Sequence, residues 1–173
     1  ISGPQDFQSI ASDFEALFSN SGMMMKKIRR SLEIKKEYIE KDEFDKGPRL
    51  VFNYGHSFGH AIEAATDYAI PHGIAVSIGC DMANYCAFRL GISTEQIWQS
   101  MRPIFNANYQ DYKKKDIPFK SFLFALGKDK KNIGKDSFSL ILPERKAKLF
   151  KDSYLNTPTL RGIFKDFLTG LKN

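Results

Sequence analysis

Apolar residues recur at intervals of three or four along most of this chain, and this spacing restricts the possible folds more than any other feature. It places apolar side chains on one side of a helix, whereas a half-buried strand requires strict alternation. The spacing predicts helices over about 5–18, 23–41, 49–66, 72–90, 93–105, 118–126 and 157–171. Alternation is clear only in 137–142 and 146–151, on either side of Pro143-Glu144, and predicts one β-hairpin. The expected fold class is therefore mainly α, a multi-helical domain with one small hairpin.

Four polar or flexible residues are expected to define helix ends. Ser21 is a candidate N-cap for the second helix, and Ser93 with Gln96 forms a candidate capping box. Gly91 is expected to stop the helix before it. The lysine-rich segment 106–117 is expected to be a loop or a broken helix.

Composition excludes several classes of protein. With 173 residues, 42% of them hydrophobic, the chain can bury a core as a single domain over 1–173, which excludes global disorder. It contains neither an apolar run approaching about 18 residues nor an N-terminal secretion signal, so no membrane partner is expected. Cys80 and Cys86 are expected to be buried thiols in a reducing compartment, which favours a cytoplasmic location.

The net charge of +6 allows either a nucleic acid or an anionic small molecule as the partner. Basic runs at 26–36 and 113–115 are the candidates for nucleic-acid contact in a basic helical module. That hypothesis leaves the histidines unexplained, as does a purely structural module. A solvated helix face with ion pairs accounts for most of the charges, so no nucleic acid is expected.

All three histidines fall within residues 56–72, and the expected helix from Arg49 carries two of them in a polar stripe. At 100° per residue, the stripe covers an arc of about 80°. Its members are Arg49, Asn53, His56, His60 and Glu63. Solvent-facing stripes are usually Lys, Glu and Gln, so this composition favours a functional face. Gly55 and Gly59 beside it would let a backbone or ligand approach closely.

Such histidines can bind a divalent metal in more than one way. His56 and His60 lie four residues apart and can reach one ion from a single helix turn, or one of them can pair with His72. A catalytic ion normally takes three protein ligands, which leaves the remaining histidine for acid–base work. The zinc-protease order His-Glu-x-x-His is absent because Ser57 follows His56. Spacing alone leaves both pairings open.

The segment 49–63, RLVFNYGHSFGHAIE, followed by Pro71-His72-Gly73, resembles the signature of 3-dehydroquinate synthases and related sugar-phosphate cyclases. The segments 34–37, 42–47 and 129–131 also fit the spacing of that family. The resemblance implies a dehydroquinate-synthase-like C-terminal domain. It further implies that His56 and His72 bind a catalytic divalent metal, zinc or alternatively cobalt. His60 would be a non-ligand histidine at the leaving phosphate, available for proton transfer.

The resemblance also implies a set of substrate-binding residues. Lys35, Arg49 and Asn53 would bind the carboxylate, hydroxyls or phosphate of the substrate. Asp45 stands where the family usually has Glu. One of the two lysines of the 129–131 segment would reach the phosphate; they are Lys130 and Lys131.

The implied reaction is an NAD- and metal-dependent cyclisation of a seven-carbon sugar acid phosphate with elimination of phosphate, a lyase step of the shikimate pathway to aromatic amino acids. Asp45, together with Ile74 in place of a common Glu, suggests an alternative, a divergent cyclase of the 2-deoxy-scyllo-inosose or valiolone synthase type. The family also implies a homodimer of the full-length protein.

The chain lacks the dinucleotide-binding pattern that the family places N-terminal to this region. The resemblance implies that NAD and a third metal ligand, a glutamate, come from that missing domain. We therefore expect the isolated 173 residues to bind metal weakly, to leave NAD unbound and to have no turnover.

Overall fold

The structure is a computed structural model that describes residues 1–44, 46–128, 136–146 and 148–172. Three predicted substrate-binding residues, Asp45, Lys130 and Lys131, lie outside these ranges. The chain divides into two compact units, Ile1–Phe52 and Asn53–Asn173. In the described part of the chain, no helix is both long enough and apolar enough to span a bilayer.

The first unit contains helices α1 (Pro4–Leu17) and α2 (Ser21–Lys41). Asn20 caps α2, because its side-chain oxygen accepts a hydrogen bond from the Met23 amide at 3.0 Å. The predicted cap at Ser21 is therefore wrong by one residue, and Ser21 is the first residue of the helix. A 3-10 helix, Pro48–Asn53, crosses the boundary between the units.

The second unit contains five α-helices and a two-stranded antiparallel sheet among its described residues. The elements are α3 (His56–Ala65), α4 (His72–Arg89), α5 (Glu95–Tyr109), α6 (Phe119–Gly127), β1 (Ser137–Pro143), β2 (Leu149–Leu155) and α7 (Pro158–Gly170). Ser137 pairs with Leu155 at one end of the hairpin, and Pro143 pairs with Leu149 at the other. The predicted mainly-α fold with one small hairpin is confirmed.

Phenylalanine rings form the centre of the core of the second unit. Phe58 of α3, Phe122 of α6 and Phe164 of α7 lie with ring centroids 5.4–6.4 Å apart. Cys80 and Cys86 of α4 are buried and free, as predicted. Burial raises the pKa of Cys80 to about 12, so this thiol stays protonated at neutral pH.

The prediction of one helix over 49–66 is wrong in its first third. Residues 48–53 form the 3-10 helix, and α3 begins only at His56. Gly55 separates the two with a positive φ of 77°. Arg49 therefore does not share a continuous α-helical stripe with the histidines.

The start and end of α5 also differ from the prediction. Thr94 caps the helix through the Ile97 amide, so the predicted capping box at Ser93 is wrong. The helix continues past the predicted end at Phe105 to Tyr109. Tyr109 is fully buried and donates a hydrogen bond to a carboxylate of α4, so a tertiary contact sustains this last turn.

Candidate metal and substrate site

Close packing of α3 against α4 fixes the first two histidines. A Cβ atom at Gly55 would lie 2.8 Å from the backbone atoms of Cys80 and Val76, and one at Gly59 would lie 3.0 Å from Val76 Cα. The close approach predicted at these two glycines is confirmed, and the approaching group is the backbone of α4. His56 begins α3 immediately after Gly55, and His60 follows one turn later.

The loop after α3 returns the chain so that His72 lies beside α3. Asp67 and Tyr68 adopt positive φ angles of 49° and 60° in a turn between α3 and α4. The fully buried Ile70 anchors the loop in the core. His72 is then the first residue of α4.

These elements bring the three imidazoles together. The ring centroids are 5.6 Å apart for His56 and His60, 5.5 Å for His56 and His72, and 5.6 Å for His60 and His72. The three rings thus form a nearly equilateral triangle, an arrangement that can surround one ion. Imidazole nitrogens suit zinc and cobalt, so the donor set fits the metals implied by the resemblance.

The hydrogen bonds of the ring nitrogens distinguish the three histidines. His56 Nδ1 lies 3.3 Å from the carbonyl oxygen of Tyr54, and His72 Nδ1 lies 3.0 Å from Oε2 of Glu63. Within the described part of the chain, His60 makes ring contacts but no hydrogen bond of this kind. A ring that donates from Nδ1 presents the lone pair of Nε2, as metal-bound histidines commonly do.

Sequence reasoning placed Glu63 on the polar stripe without giving it a role. In the structure its carboxylate contacts His72, and ligand atoms of His60, Glu63 and His72 lie within 4.8 Å of one another. The sequence signal was available, since Glu63 lies two helical turns after His56 on the same face. Only the path of the 67–71 loop shows that this face meets His72.

The environment of His56 favours the neutral imidazole. Burial lowers its pKa, and the neighbouring His60 and His72 lower it further. The Tyr54 carbonyl and the Glu63 carboxylate act in the opposite direction. A neutral imidazole is the form that binds metal.

A cavity of about 700 Å³ lies between α3 and α6 beside two of the histidines. Its lining includes Asn53, His56, His60, Ser57 and Lys128. The Lys128 ammonium lies over the Phe124 ring, 4.2 Å from the centroid. The cavity therefore combines imidazoles, hydroxyl and amide groups and a cation, which suits a polar anionic ligand.

Of the other predicted substrate-binding residues, Lys35 and Arg49 belong to the first unit, and their roles remain predictions. Lys35 is exposed on α2. Arg49 donates from Nη1 to the Glu43 carbonyl oxygen at 2.8 Å, and its amide donates to the Asp42 carboxylate at 3.0 Å.

The sequence profile described as 3-dehydroquinate synthase C-terminal matches residues 1–132. A 3-dehydroquinate synthase of Shewanella pealeana is 37% identical over 141 residues, which cover 80% of this chain and 39% of that protein. The chain thus spans about two fifths of the length of this relative.

Solved structures with a similar fold are sugar-phosphate cyclases. A 2-epi-5-epi-valiolone synthase from Streptomyces hygroscopicus with NAD+ and Zn2+ bound superposes with a TM-score of 0.71 at 20% identity, covering 96% of this chain and 46% of that one. A 2-deoxy-scyllo-inosose synthase complexed with carbaglucose-6-phosphate, NAD+ and Co2+ has a TM-score of 0.59 at 22% identity, covering 72% and 36%. At these identities the likeness concerns the fold.

Proposed function

Because the chain belongs to the 3-dehydroquinate synthase C-terminal family, we propose that it is the metal- and substrate-binding part of a 3-dehydroquinate synthase. The full-length enzyme would cyclise a seven-carbon sugar acid phosphate with loss of phosphate, using NAD and a divalent metal. NAD would be held by the N-terminal domain that the resemblance implies. The match covers about two fifths of a curated relative, so the reaction is proposed for the full-length protein.

One observation carries the assignment of the metal ligands. In both His56 and His72, Nδ1 lies within hydrogen-bond distance of an oxygen acceptor. Donation from Nδ1 leaves the Nε2 lone pair of each ring available to an ion. This pattern supports His56 and His72 as ligands over the pairing of His56 with His60. His60 is then available, 5.6 Å from each of the other two rings, to move a proton.

The cofactors would supply the chemistry that these side chains lack. A bound zinc or cobalt ion polarises hydroxyl and carbonyl oxygens, and NAD accepts and returns a hydride. The residues of this chain bind and orient the substrate. Asn53 lines the cavity and would bind a hydroxyl, while Lys35 and Arg49 would hold the anionic groups. Asp45 is proposed to contact the substrate through its carboxylate, and one of Lys130 and Lys131 is proposed to contact the phosphate. All three lie outside the described residues.

A second candidate is a cyclase that acts on another sugar phosphate. Ile74 follows Gly73 at a position where dehydroquinate synthases commonly have Glu, and this departure favours a different substrate. The sequence relatives nevertheless carry the 3-dehydroquinate synthase name, which keeps that activity first. Phosphate release from a seven-carbon sugar acid phosphate, a heptulose phosphate and a hexose phosphate would distinguish the candidates.

The test compares three single substitutions in the full-length protein. His56→Gln and His72→Gln are expected to lose bound zinc, measured by elemental analysis after dialysis, together with turnover. His60→Gln is the matched control, because it removes an imidazole from the same cluster. It is expected to keep zinc and to lower kcat by about 10²–10⁴-fold, the usual contribution of an acid–base group.

Two results would contradict the proposal. Zinc retained in both His56→Gln and His72→Gln would reject the ligand assignment. Full-length protein that binds zinc but releases phosphate from none of the sugar phosphates would reject the cyclase function.

A further inference from the structure

We propose that Glu63 is a positioning residue that fixes the tautomer and orientation of His72, so that His72 presents Nε2 to the metal. The proposal rests on the proposed function for the identity of the metal site. Its structural part, the hydrogen bond that orients the ring, stands on the geometry of this chain alone.

The contact between the two side chains sets the position of the ring proton. Glu63 Oε2 and His72 Nδ1 are 3.0 Å apart, a normal hydrogen-bond distance. A carboxylate only accepts hydrogen bonds, so Nδ1 must carry the proton. In a neutral ring, the lone pair then lies on Nε2, the nitrogen on the opposite side.

The difference in exposure explains why His72 needs such a partner. The His72 side chain is 55% exposed and lies on the first residue of a helix, so more than half of its surface is open to water. The Glu63 side chain is only 11% exposed and belongs to a buried face of α3. Its backbone carbonyl also accepts the Tyr68 amide at 2.8 Å, which links it to the returning loop. Glu63 is thus a buried acceptor for a more exposed ring.

Glu63 could instead bind the metal directly, because its carboxylate lies within 4.8 Å of donors on His60 and His72. The hydrogen bond argues for positioning, since the Oε2 atom already serves His72 Nδ1. The two roles differ in what a glutamine can do. A glutamine retains an oxygen acceptor for Nδ1–H but replaces the charged carboxylate that would serve as a ligand.

The first measurement requires no metal. In the 173-residue chain with ¹⁵N-labelled histidine, at about pH 8 where an ordinary imidazole is neutral, the His72 nitrogens are expected to show the Nδ1–H tautomer. Comparison with His72→Gln assigns the signals. Glu63→Gln should keep this tautomer, whereas Glu63→Met, which has no strong acceptor, should give a mixture. Observation of the Nε2–H tautomer in the unsubstituted chain would overturn the proposal even if Glu63→Met fails to fold.

The second measurement is the dissociation constant of the same 173-residue chain for Co2+, with no other ligand present. The visible absorption of the bound Co2+ monitors the titration. Glu63→Met is expected to weaken binding by about 10–100-fold, the usual effect of removing such an outer partner, and Glu63→Gln should restore most of the affinity. Glu95→Met is the matched control, because it makes the same change on the exposed first turn of α5 and should leave binding unchanged.

The outcomes separate this inference from the proposed function. Unchanged Co2+ affinity in folded Glu63→Met, or a loss in Glu63→Gln as large as in Glu63→Met, would overturn the positioning role. If His56→Gln and His72→Gln bind Co2+ as tightly as the unsubstituted chain does, the proposed metal site is rejected instead. That conclusion would hold whichever tautomer His72 adopts.

Discussion

Asp81 on α4 is a fully buried carboxylate that joins α4 to α5. It accepts hydrogen bonds from Trp98 Nε1 at 2.9 Å and from the Tyr109 hydroxyl at 2.6 Å. Burial raises the pKa of Asp81 above its ordinary value, although both hydrogen bonds favour the charged form. The residue therefore contributes two hydrogen bonds between the helices at the cost of burying a charge.

Substitutions at Asp81 should separate these two effects. Asp81→Ala leaves two buried donors unsatisfied and is expected to lower the free energy of unfolding by about 1–3 kcal/mol for each. Asp81→Asn keeps one oxygen acceptor, and the Tyr109 hydroxyl can rotate to accept from its amide. The asparagine variant is therefore expected to stay within about 1 kcal/mol of the unsubstituted chain at neutral pH. Urea unfolding followed by fluorescence measures both values.

The difference in the free energy of unfolding between the unsubstituted chain and Asp81→Asn should depend on pH, and the sign of this dependence can be predicted. A raised folded-state pKa means that the folded chain binds the proton of Asp81 more tightly than the unfolded chain does. The stability of the unsubstituted chain relative to Asp81→Asn should therefore increase as the pH falls from neutral through the raised pKa towards the ordinary value of 3.8. A difference that is constant or shrinks over this range would show that the carboxyl is not destabilised by burial.

At the scale of elements, the crossing of α3 and α4 depends on Gly79. A Cβ atom there would clash with the carbonyl oxygen of Gly55 and would lie 2.9 Å from the Gly59 amide nitrogen. Both neighbours are backbone atoms, so neither can move without shifting a helix. Because His56 and His60 are on α3 and His72 is on α4, this crossing also sets the distances from His72 to the other two imidazoles.

Gly79→Ala is expected to lower the free energy of unfolding by about 2 kcal/mol or more, since overpacking a rigid crossing forces the backbone to shift. Gly162→Ala in α7 is the matched control, because a Cβ atom there meets nothing within 4 Å. It should be neutral or stabilising by up to about 1 kcal/mol, as alanine is the better helix former. Equal stabilities of the two variants in urea unfolding would disprove the tight crossing.

At the scale of the whole molecule, the interactions that stabilise the interior of the first unit differ from those that stabilise the interior of the second. In the second unit, most buried side chains form one apolar core. In the described residues of the first unit, Leu17 is the one buried hydrophobic side chain. Its two helices are joined by ion pairs between Arg30 and Asp6 and between Lys27 and Asp13, at 2.9 and 2.7 Å. Ion pairs that remain partly open to water contribute little to stability.

Hydrogen exchange of the 173-residue chain should reveal this difference. Peptides from α1 and α2 are expected to take up deuterium well before peptides from α4, because local opening of the first unit exposes little apolar surface. Mass spectrometry after brief labelling measures the deuterium uptake of peptides from each of these helices. A fully unfolded sample gives the reference for complete exchange. Equal protection of α2 and α4 would contradict the expectation.

The sequence predicted the helices most successfully where one local signal was sufficient. The 3.6-residue period indicates α1, α2, α4 and α7, and Thr157-Pro158 correctly marks the start of α7. Prediction from the sequence failed where a tertiary contact competed with the local pattern of residues. The polar spacing from Arg49 to Glu63 suited one helix, but Gly55 adopts a positive φ against α4 and ends that regularity. Tyr109 likewise extends α5 because its hydroxyl reaches Asp81.

For the site, the sequence by itself determined which residue types are present: the histidine cluster, the polar positions on α3 and the family resemblance follow from residue types and spacing. Only the tertiary structure decided which groups meet. Glu63 and His72 are nine residues apart on different helices, and the positive-φ turn at Asp67 and Tyr68 brings them within a hydrogen bond. The physical reason is that periodicity fixes the direction of a side chain within one helix. The angle and distance between two helices depend on backbone contacts such as that between Gly79 and Gly55, which local sequence does not encode.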